Sequence, residues 1–274
     1  MDGLLGQSRR KRGNIKMEID RSKARGKLLF WDIETSLIEV YTHQLGQQYV
    51  DQRAIKKDKQ IICISYKAEG WKKPRTLKWD NGDDTQLLKD FSEIAQQYEL
   101  LVAQNGDQFD IKVLKGRLWA RGLDPLTNIR TLDTLKMSKQ NLKLTSHKLD
   151  YKLNSLGLGG KIPTSFGLWV RVQNGDKQAL REMVEYCEGD VEGLQAVFWS
   201  LLPYVDKLPT SLGVLVTSDR DSCSKCSGKP IKWGTRAYAT GIKQRWRCSP
   251  CGYTWDDTRL KSNADRKESY NEGY

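Results

Sequence analysis

Short apolar segments alternate with helical repeats along the central part of the chain. Five segments of four to six residues have the composition of buried strands, and they lie at 28–33, 61–66, 76–79, 100–103 and 129–132. Apolar residues recur with the i, i+3, i+4 period of a helix at 87–95, 109–118, 149–156 and 177–202. Asp83 and Asp84 are expected to cap the first helix. This order predicts an α/β fold in which helices flank a mixed sheet.

The length of the chain suggests one main domain with additions at its ends. Its 274 residues exceed one average domain, and 38% of them are hydrophobic, enough for a buried core. We expect four parts: a basic N-terminal arm, the main α/β domain, a small cysteine-containing module and a C-terminal tail, at 1–26, 27–209, 218–260 and 261–274. No apolar run is as long as a membrane-spanning helix, and the first residues lack the apolar core of a signal peptide. The sequence therefore predicts a cytoplasmic protein without a membrane partner, in the host cytoplasm if a phage encodes it.

The net charge of +12 is concentrated at the two ends of the chain. Residues 1–27 hold nine Lys or Arg against three Asp or Glu, and residues 218–274 hold twelve against seven. Clustered cations bind phosphate backbones because binding releases condensed counterions, so this distribution favours nucleic acid as a partner. Basic ends that serve only solubility or localisation are the alternative.

Acidic residues end two of the predicted strands and lie on the last predicted helix. Asp32 and Glu34 are two apart at the end of the first strand, so their side chains share one face. Asp110 follows the fourth strand at a helix start, and Tyr186 and Asp190 are one turn apart on the last helix. Each position alone has an ordinary structural explanation. Asp190 lies among apolar positions, however, where an aspartate needs a partner such as a metal ion.

Three motifs together carry a family resemblance. DIE at 32–34, NGDQFD at 105–110 and YCEGD at 186–190 occur in the order of the three sequence blocks of the DEDD exonuclease superfamily. The tyrosine of the third block resembles the DEDDy branch, which includes the proofreading domains of family B DNA polymerases, and stand-alone members from phages and bacteria are also similar. The resemblance spans about residues 27 to 205. It implies a ribonuclease-H-like fold and 3′-to-5′ exonuclease activity on single-stranded nucleic acid, with DNA favoured.

The resemblance also implies roles for the residues of the three motifs. Asp32 would bridge two Mg²⁺ or Mn²⁺ ions, Glu34 and Asp190 would hold the ion that carries the attacking water, and Asp110 would support the second ion. Tyr186 would orient the water, because an ordinary phenol is a poor base at neutral pH.

Two residues of the second motif are expected near the substrate. Family members place an asparagine and a phenylalanine of this block beside the terminal nucleotides, which here implies Asn105 and Phe109. Phe109 as an anchor for the helix start is the structural alternative. Two other polar residues are excluded from the catalytic set: Asp133 is expected to cap the next helix, and His147 has no counterpart in this branch.

Four cysteines near the C-terminus have the spacing of a zinc ribbon. Two C-x₂-C pairs are separated by 21 residues, and they consist of Cys223, Cys226, Cys248 and Cys251. One structural Zn²⁺ is expected there. Basic and aromatic residues interleave around the second pair, so Arg245, Trp246 and Arg247 are predicted to contact nucleic acid. Protein binding by the ribbon is the alternative. Cys63 and Cys187, by contrast, are expected to lie in the core.

Two other functions share part of this pattern. A ribonuclease H, resolvase or transposase-like endonuclease would have the same fold and chemistry, although the paired carboxylates on the first strand argue against it. A non-catalytic nucleic-acid-binding module would not need acidic residues in all three motifs. Replication or repair proteins are expected partners of an exonuclease. The choice between DNA and RNA stays open at this stage.

Overall fold

The computed structural model of the chain describes residues 24, 27–127, 129–205, 223, 228–238 and 241–256. The main domain contains seven strands: β1 (Leu28–Thr35), β2 (Glu39–Val40), β3 (Ile55–Lys57), β4 (Ile61–Ala68), β5 (Arg75–Lys78), β6 (Leu100–Ala103) and β7 (Thr131–Asp133). Six helices accompany them: α1 (Thr85–Ala95), α2 (Asp110–Ala120), α3 (Thr134–Asn141), α4 (Leu149–Ser155), α5 (Phe166–Gln173) and α6 (Lys177–Leu201). Short 3-10 helices lie at Gln52–Ala54 and Leu202–Tyr204.

Five of the strands form the predicted mixed sheet. Their order is β5-β4-β1-β6-β7, with β1 antiparallel to β4 and parallel to β6. All five predicted strands are present, although β7 begins two residues later than the prediction. The hairpin of β2 and β3 was not predicted. Its strands are only two and three residues long, too short for a period-two pattern to reveal them.

The helices form where apolar residues recur with helical period. All four predicted helical segments are confirmed. Asp176 is the N-cap of α6, and its carboxylate accepts hydrogen bonds from the backbone amides of Gln178 and Ala179. The short helix α5 was not predicted. No helix among the described residues combines the length and the apolar character that crossing a bilayer requires.

Side chains of β1 point alternately into two cores on opposite faces of the sheet. Phe30 packs against α6, where its ring meets Phe198 edge-on at 5.3 Å. Trp31 packs against α1 on the other face and stacks on Phe91 at 4.9 Å. A third cluster joins β4 to α5 and α6 and contains Cys187, which is fully buried together with Cys63. The prediction of two core cysteines is confirmed.

Asp84 differs from its predicted role as a helix cap. Its side chain makes no capping bond, and the first backbone amide of α1 bonds Asp83 instead. Asp84 is fully buried and accepts two hydrogen bonds from Arg117, at 2.7 and 2.9 Å, and one from Arg121 at 3.1 Å. A buried carboxylate is stable only when its charge is paired and hydrogen-bonded, as it is here by the two arginines. Asp84 therefore joins α2 to the start of α1 and does not cap α1.

The C-terminal module contains a separate three-stranded antiparallel sheet. Its strands are β8 (Pro230–Tyr238), β9 (Gly241–Cys248) and β10 (Thr254–Asp256), in the order β10-β9-β8. A tight turn after β9 carries one C-x₂-C pair, and Gly252 adopts the left-handed φ of 71° that this turn requires. The predicted arm at 1–26, apart from residue 24, and the tail at 261–274 lie outside the described residues.

Candidate active site and metal centres

The acidic residues of the first and third motifs lie close together where β1 packs against α6. Asp32 and Glu34 alternate with the buried Ile33 on β1, so both carboxylates point to the α6 side of the sheet. Asp190 on α6 is 4% exposed and faces them. Carboxylate oxygens of these three residues lie within 4.8 Å of one another. This spacing suits ligands of one small cation.

Asp110 approaches the same cluster from the start of α2. It is 2% exposed, and the backbone amide of Ile33 interacts with its carboxylate. Burial raises the pKa of Asp110 to about 7, and Asp133 adds to the increase. Asp110 is not one of the three residues whose carboxylate oxygens lie within 4.8 Å of one another. Its charge nevertheless raises the pKa of Asp32. The structure therefore brings all four predicted carboxylates into one electrostatic site.

The protein alone does not neutralise this concentration of negative charge. Burial, followed by repulsion from Asp110, Asp190 and Glu34, raises the pKa of Asp32 well above its ordinary value. Burial and Asp190 raise the pKa of Glu34 to about 8, and burial also raises the pKa of Asp190. Converging carboxylates of this kind favour a bound divalent cation with oxygen ligands, such as Mg²⁺ or Mn²⁺. The residues present thus fit the predicted metal site.

Lys161 belongs to the site but was absent from the sequence prediction. Its Nζ lies 2.6 Å from Oδ2 of Asp190 and donates a longer hydrogen bond, at 3.3 Å, to the Tyr186 hydroxyl. Its backbone amide donates to Asp150, which fixes the loop after α4. A lysine after two glycines gives no sequence signal of this contact, because the partner residue lies 29 positions away. Lys161 supplies the nearest positive charge to the carboxylates.

Tyr186 lies one helical turn before Asp190 and is half-buried. Burial and the Asp190 charge raise its pKa to about 12, so the phenol is neutral at physiological pH. Its ring contacts Trp169 of α5 edge-on, with centroids 6.1 Å apart. Trp169 also hydrogen-bonds Glu34 and so links α5 to the carboxylates. A neutral, fixed hydroxyl can orient a water molecule but cannot remove its proton.

An apolar groove opens directly beside the carboxylates. Its volume is about 490 Å³, and its lining includes Thr35, Ile38, Lys59, Phe166 and Trp169. Phe166 is 70% exposed and Ile38 is 46% exposed, so both side chains present apolar area to solvent at the groove. This groove was not predicted from the sequence, since α5, which forms one side of it, was not predicted.

The predicted substrate residues of the second motif lie in the loop that leads to Asp110. Asn105 has a left-handed φ of 64°, and its backbone amide donates to Asp133 at 2.9 Å. Phe109 immediately precedes Asp110 and is 39% exposed. Asp133 also accepts a bond from the Leu135 amide at the start of α3, which confirms its predicted role as a cap.

Three cysteines of the predicted zinc ribbon also converge. The sulfur atoms of Cys223, Cys248 and Cys251 lie within 4.8 Å of one another, and those of Cys223 and Cys251 are 3.6 Å apart. Cys226, the predicted fourth ligand, lies outside the described residues. Zn²⁺ in structural sites takes four ligands in a tetrahedron, and thiolates are its preferred partners. The cysteine cluster therefore fits a zinc ion.

Comparisons with known proteins agree with the fold. A family model of the RNase_H superfamily matches residues 29–201. The solved structure of the family B DNA polymerase from the hyperthermophilic archaeon Pyrobaculum calidifontis is similar, with a TM-score of 0.51 and 15% sequence identity. The similarity covers 69% of this chain and 27% of the polymerase, so the chain spans about a quarter of that protein's length. No curated protein matches the chain.

Proposed function

The chain belongs to the RNase_H superfamily, and on this premise we propose that it is a metal-dependent 3′-to-5′ exonuclease acting on single-stranded nucleic acid, with DNA favoured. The observation that carries the proposal is the convergence of Asp32, Glu34 and Asp190 within 4.8 Å, with Asp110 close by. Two acidic residues on one strand, joined by one from each of two helices, is the arrangement that the three sequence motifs predict. Nucleic acid is the substrate class that the superfamily supports.

Divalent cations are the proposed cofactors of this site. Asp32, Glu34, Asp110 and Asp190 would hold two Mg²⁺ or Mn²⁺ ions through their carboxylate oxygens. Such ions supply acidity to an attacking water and offset the charge of the leaving 3′ oxygen. Asp110 and Asp190 are buried and Asp32 and Glu34 are partly buried, so access of bulk water is restricted and each charge interaction within the site is strengthened.

Tyr186 and Lys161 would position the reacting groups. The neutral Tyr186 hydroxyl would form a hydrogen bond with the attacking water, as donor or acceptor, and would keep its own proton. Lys161 holds the Asp190 carboxylate at 2.6 Å and so fixes the direction in which that carboxylate points. Neither residue needs to transfer a proton for the proposed reaction.

The surroundings of the carboxylates support an unpaired strand end as substrate. The groove between Ile38 and Phe166 is large enough for a nucleobase, and exposed aromatic and apolar side chains there would stack on it. Asn105 and Phe109 would contact the terminal nucleotides from the opposite loop. An unpaired end enters such a site without the cost of separating a duplex. Replication or repair proteins are the partners that this activity would need.

The direct test is digestion of a 5′-labelled single-stranded DNA oligonucleotide with Mg²⁺, run beside the Asp32→Ala variant and a circular single strand. We expect a descending ladder from the linear DNA only, and no products from the variant. Cleavage of the circle would instead establish an endonuclease. Binding without products at any metal concentration would indicate a non-catalytic binding module.

A further inference from the structure

The sheet of the C-terminal module has two chemically different faces. Residues directly opposite each other on neighbouring strands share a face, and successive residues of one strand alternate between faces. Arg247 is opposite Ile231 and Thr254, whereas Trp246 is opposite Lys232 and Trp255. We call the first side the basic face, and it consists of Ile231, Trp233, Arg236, Lys243, Arg245, Arg247, Thr254 and Asp256.

The basic face concentrates positive charge around one exposed aromatic ring. Among the described residues of this face, four cations accompany one carboxylate, Asp256, which pairs with both Arg236 and Arg245 at 3.3 Å. The guanidinium of Arg247 stacks over the Trp233 ring, 4.5 Å from its centroid. Trp233 is still 46% exposed and its neighbour Ile231 is 45% exposed. Both side chains therefore present apolar area to solvent within a cationic surface.

The opposite face has a different character. Trp246 shares it with Lys232 and Trp255, and Trp255 stacks on Tyr253 with ring centroids 5.7 Å apart. Trp246 and Trp255 are each partly covered, unlike Trp233. Of the three residues predicted to bind nucleic acid, Arg245 and Arg247 thus lie on the basic face and Trp246 does not.

We propose that the basic face binds single-stranded nucleic acid, with Lys243 and Arg247 contacting phosphates and Trp233 stacking on an unpaired base. A line of cations along β9 matches the regular charge of a phosphate backbone, and a partly exposed ring beside it offers a platform for any base. An acidic protein surface would match the charge but would leave the exposed Trp233 ring without a stacking partner. The proposal relies on the proposed function only for the class of substrate. It adds a second contact that holds the strand independently of the carboxylates.

The test measures binding of a fluorescein-labelled oligothymidylate to the zinc-loaded full chain by anisotropy, in an Asp32→Asn background that does not cleave the probe. Lys243→Gln and Lys232→Gln remove the same charge from opposite faces of one sheet, so they form a matched pair. We expect Lys243→Gln to weaken binding and to reduce the slope of log K against log salt by about 0.7, the value for one phosphate contact on a single strand. Lys232→Gln should leave the slope unchanged.

Trp233 provides a second, independent comparison. Trp233→Ala should weaken binding by about tenfold through lost stacking, with an unchanged salt slope, and Trp233→Phe should restore most of the affinity. The zinc content of each variant, measured by native mass spectrometry, shows whether the module remains folded. Equal effects of the two lysine variants, or full affinity of Trp233→Ala, would overturn the proposal.

Failure of this proposal and failure of the exonuclease proposal give different results. If the wild-type chain produces a ladder but the basic-face variants bind normally, only the role of the basic face is wrong. If the basic-face variants lose binding but the wild type releases no nucleotides, the basic face stands and the exonuclease assignment is wrong. An unlabelled acidic polypeptide that displaces the probe as well as DNA does would indicate a non-specific polyanion surface and would also overturn the proposal.

Discussion

The carboxylate site and the cysteine cluster are both expected to bind metal, but they are built in opposite ways. The carboxylates sit on β1, α2 and α6, which are fixed by large buried clusters on both faces of the sheet. In the module, the buried residues that the structure describes include Cys223 and Cys248 but no Leu, Val, Ile or Phe. The fold therefore assembles the first site without an ion, whereas we expect the proposed zinc ion to contribute to the fold of the module.

This difference has an electrostatic counterpart. In the carboxylate site, folding forces like charges together and raises the pKa values of Asp32, Glu34 and Asp190. The folded core stabilises this unfavourable arrangement, which an incoming cation relieves. In the cysteine module, binding of the proposed zinc ion would itself supply folding free energy. Metal removal should consequently affect the two regions differently.

The largest expected effect is loss of the module's fold on removal of zinc. Structural zinc contributes on the order of 10 kcal/mol to folding of small modules. A strong chelator, or the variant Cys248→Ser, should therefore eliminate the backbone amide protection of β8 and β9, measured by hydrogen exchange. The strands β1 and β6 should remain protected under the same conditions. Cys63→Ser, which changes a buried cysteine of the main core, is the control and should retain one zinc ion. Protection of β9 without zinc would contradict the comparison.

The next effect is on catalysis at the carboxylate site. Asp32→Asn keeps the shape of the side chain but removes the charge at the centre of the cluster, so nucleotide release should fall more than about 10³-fold, beyond the loss typical of one transition-state hydrogen bond. Quantified ladder formation with Mg²⁺ measures this rate. The variant should also unfold at a temperature no lower than the wild type without metal, because burying an ionisable carboxylate beside the other three is unfavourable and asparagine removes that cost. A strongly destabilised variant would show that Asp32 contributes to the fold rather than to the reaction.

A smaller loss is expected at Tyr186. Tyr186→Phe removes the hydroxyl but keeps the ring contact with Trp169, so the rate should fall about tenfold to a hundredfold through imperfect positioning of water. The pH dependence of the rate should retain its shape, since the neutral phenol takes no proton. Single-turnover rates between about pH 6 and pH 9 measure both properties. A loss equal to that of Asp32→Asn would assign Tyr186 an essential chemical step.

The smallest expected effect is a pH dependence of stability in the metal-free protein. The pKa of Glu34 is raised from 4.5 to about 8 and that of Asp110 from 3.8 to about 7. The folded protein thus keeps protons that the unfolded chain releases, so its stability should decline as pH rises from about 5 through 8. Thermal unfolding at several pH values, with and without Mg²⁺, measures this. Glu34→Gln should flatten the decline, and Mg²⁺ should stabilise the wild type most at high pH. An identical pH profile for Glu34→Gln would show that the carboxylates are not the cause.

Much of the main domain could be predicted from sequence because its signals are local. The strands β1 and β6 are continuous apolar runs, and α6 has a long helical period with a capping aspartate at its start. The four carboxylates could be predicted because they belong to three short motifs, at the end of a strand, at the start of a helix and within a helix. The RNase_H superfamily match and the similar polymerase structure support this fold.

The parts that sequence reasoning missed depend on distant contacts. Lys161 meets Asp190 across 29 positions, and Asp84 meets Arg117 across 33. A carboxylate before a helix has the same local pattern whether it caps that helix or pairs with a remote arginine, so Asp84 was assigned the wrong partner. The groove beside Phe166 required the position of α5, whose eight residues are too few for a clear period. The exposed side of the module's sheet likewise depends on a strand register that spacing alone does not define.

Because Asp190 lies within α6, the carboxylate site depends on the same helix that holds the core together. This helix contributes buried residues to the clusters around Phe198 and Met183, and it carries Asp190 and Tyr186 between them. If α6 unfolds in a damaged molecule, Asp190 separates from Asp32 and Glu34 on β1, and the carboxylate site is lost. The proposed nuclease activity would therefore be lost together with the folded core, so misfolded copies would not cleave nucleic acid.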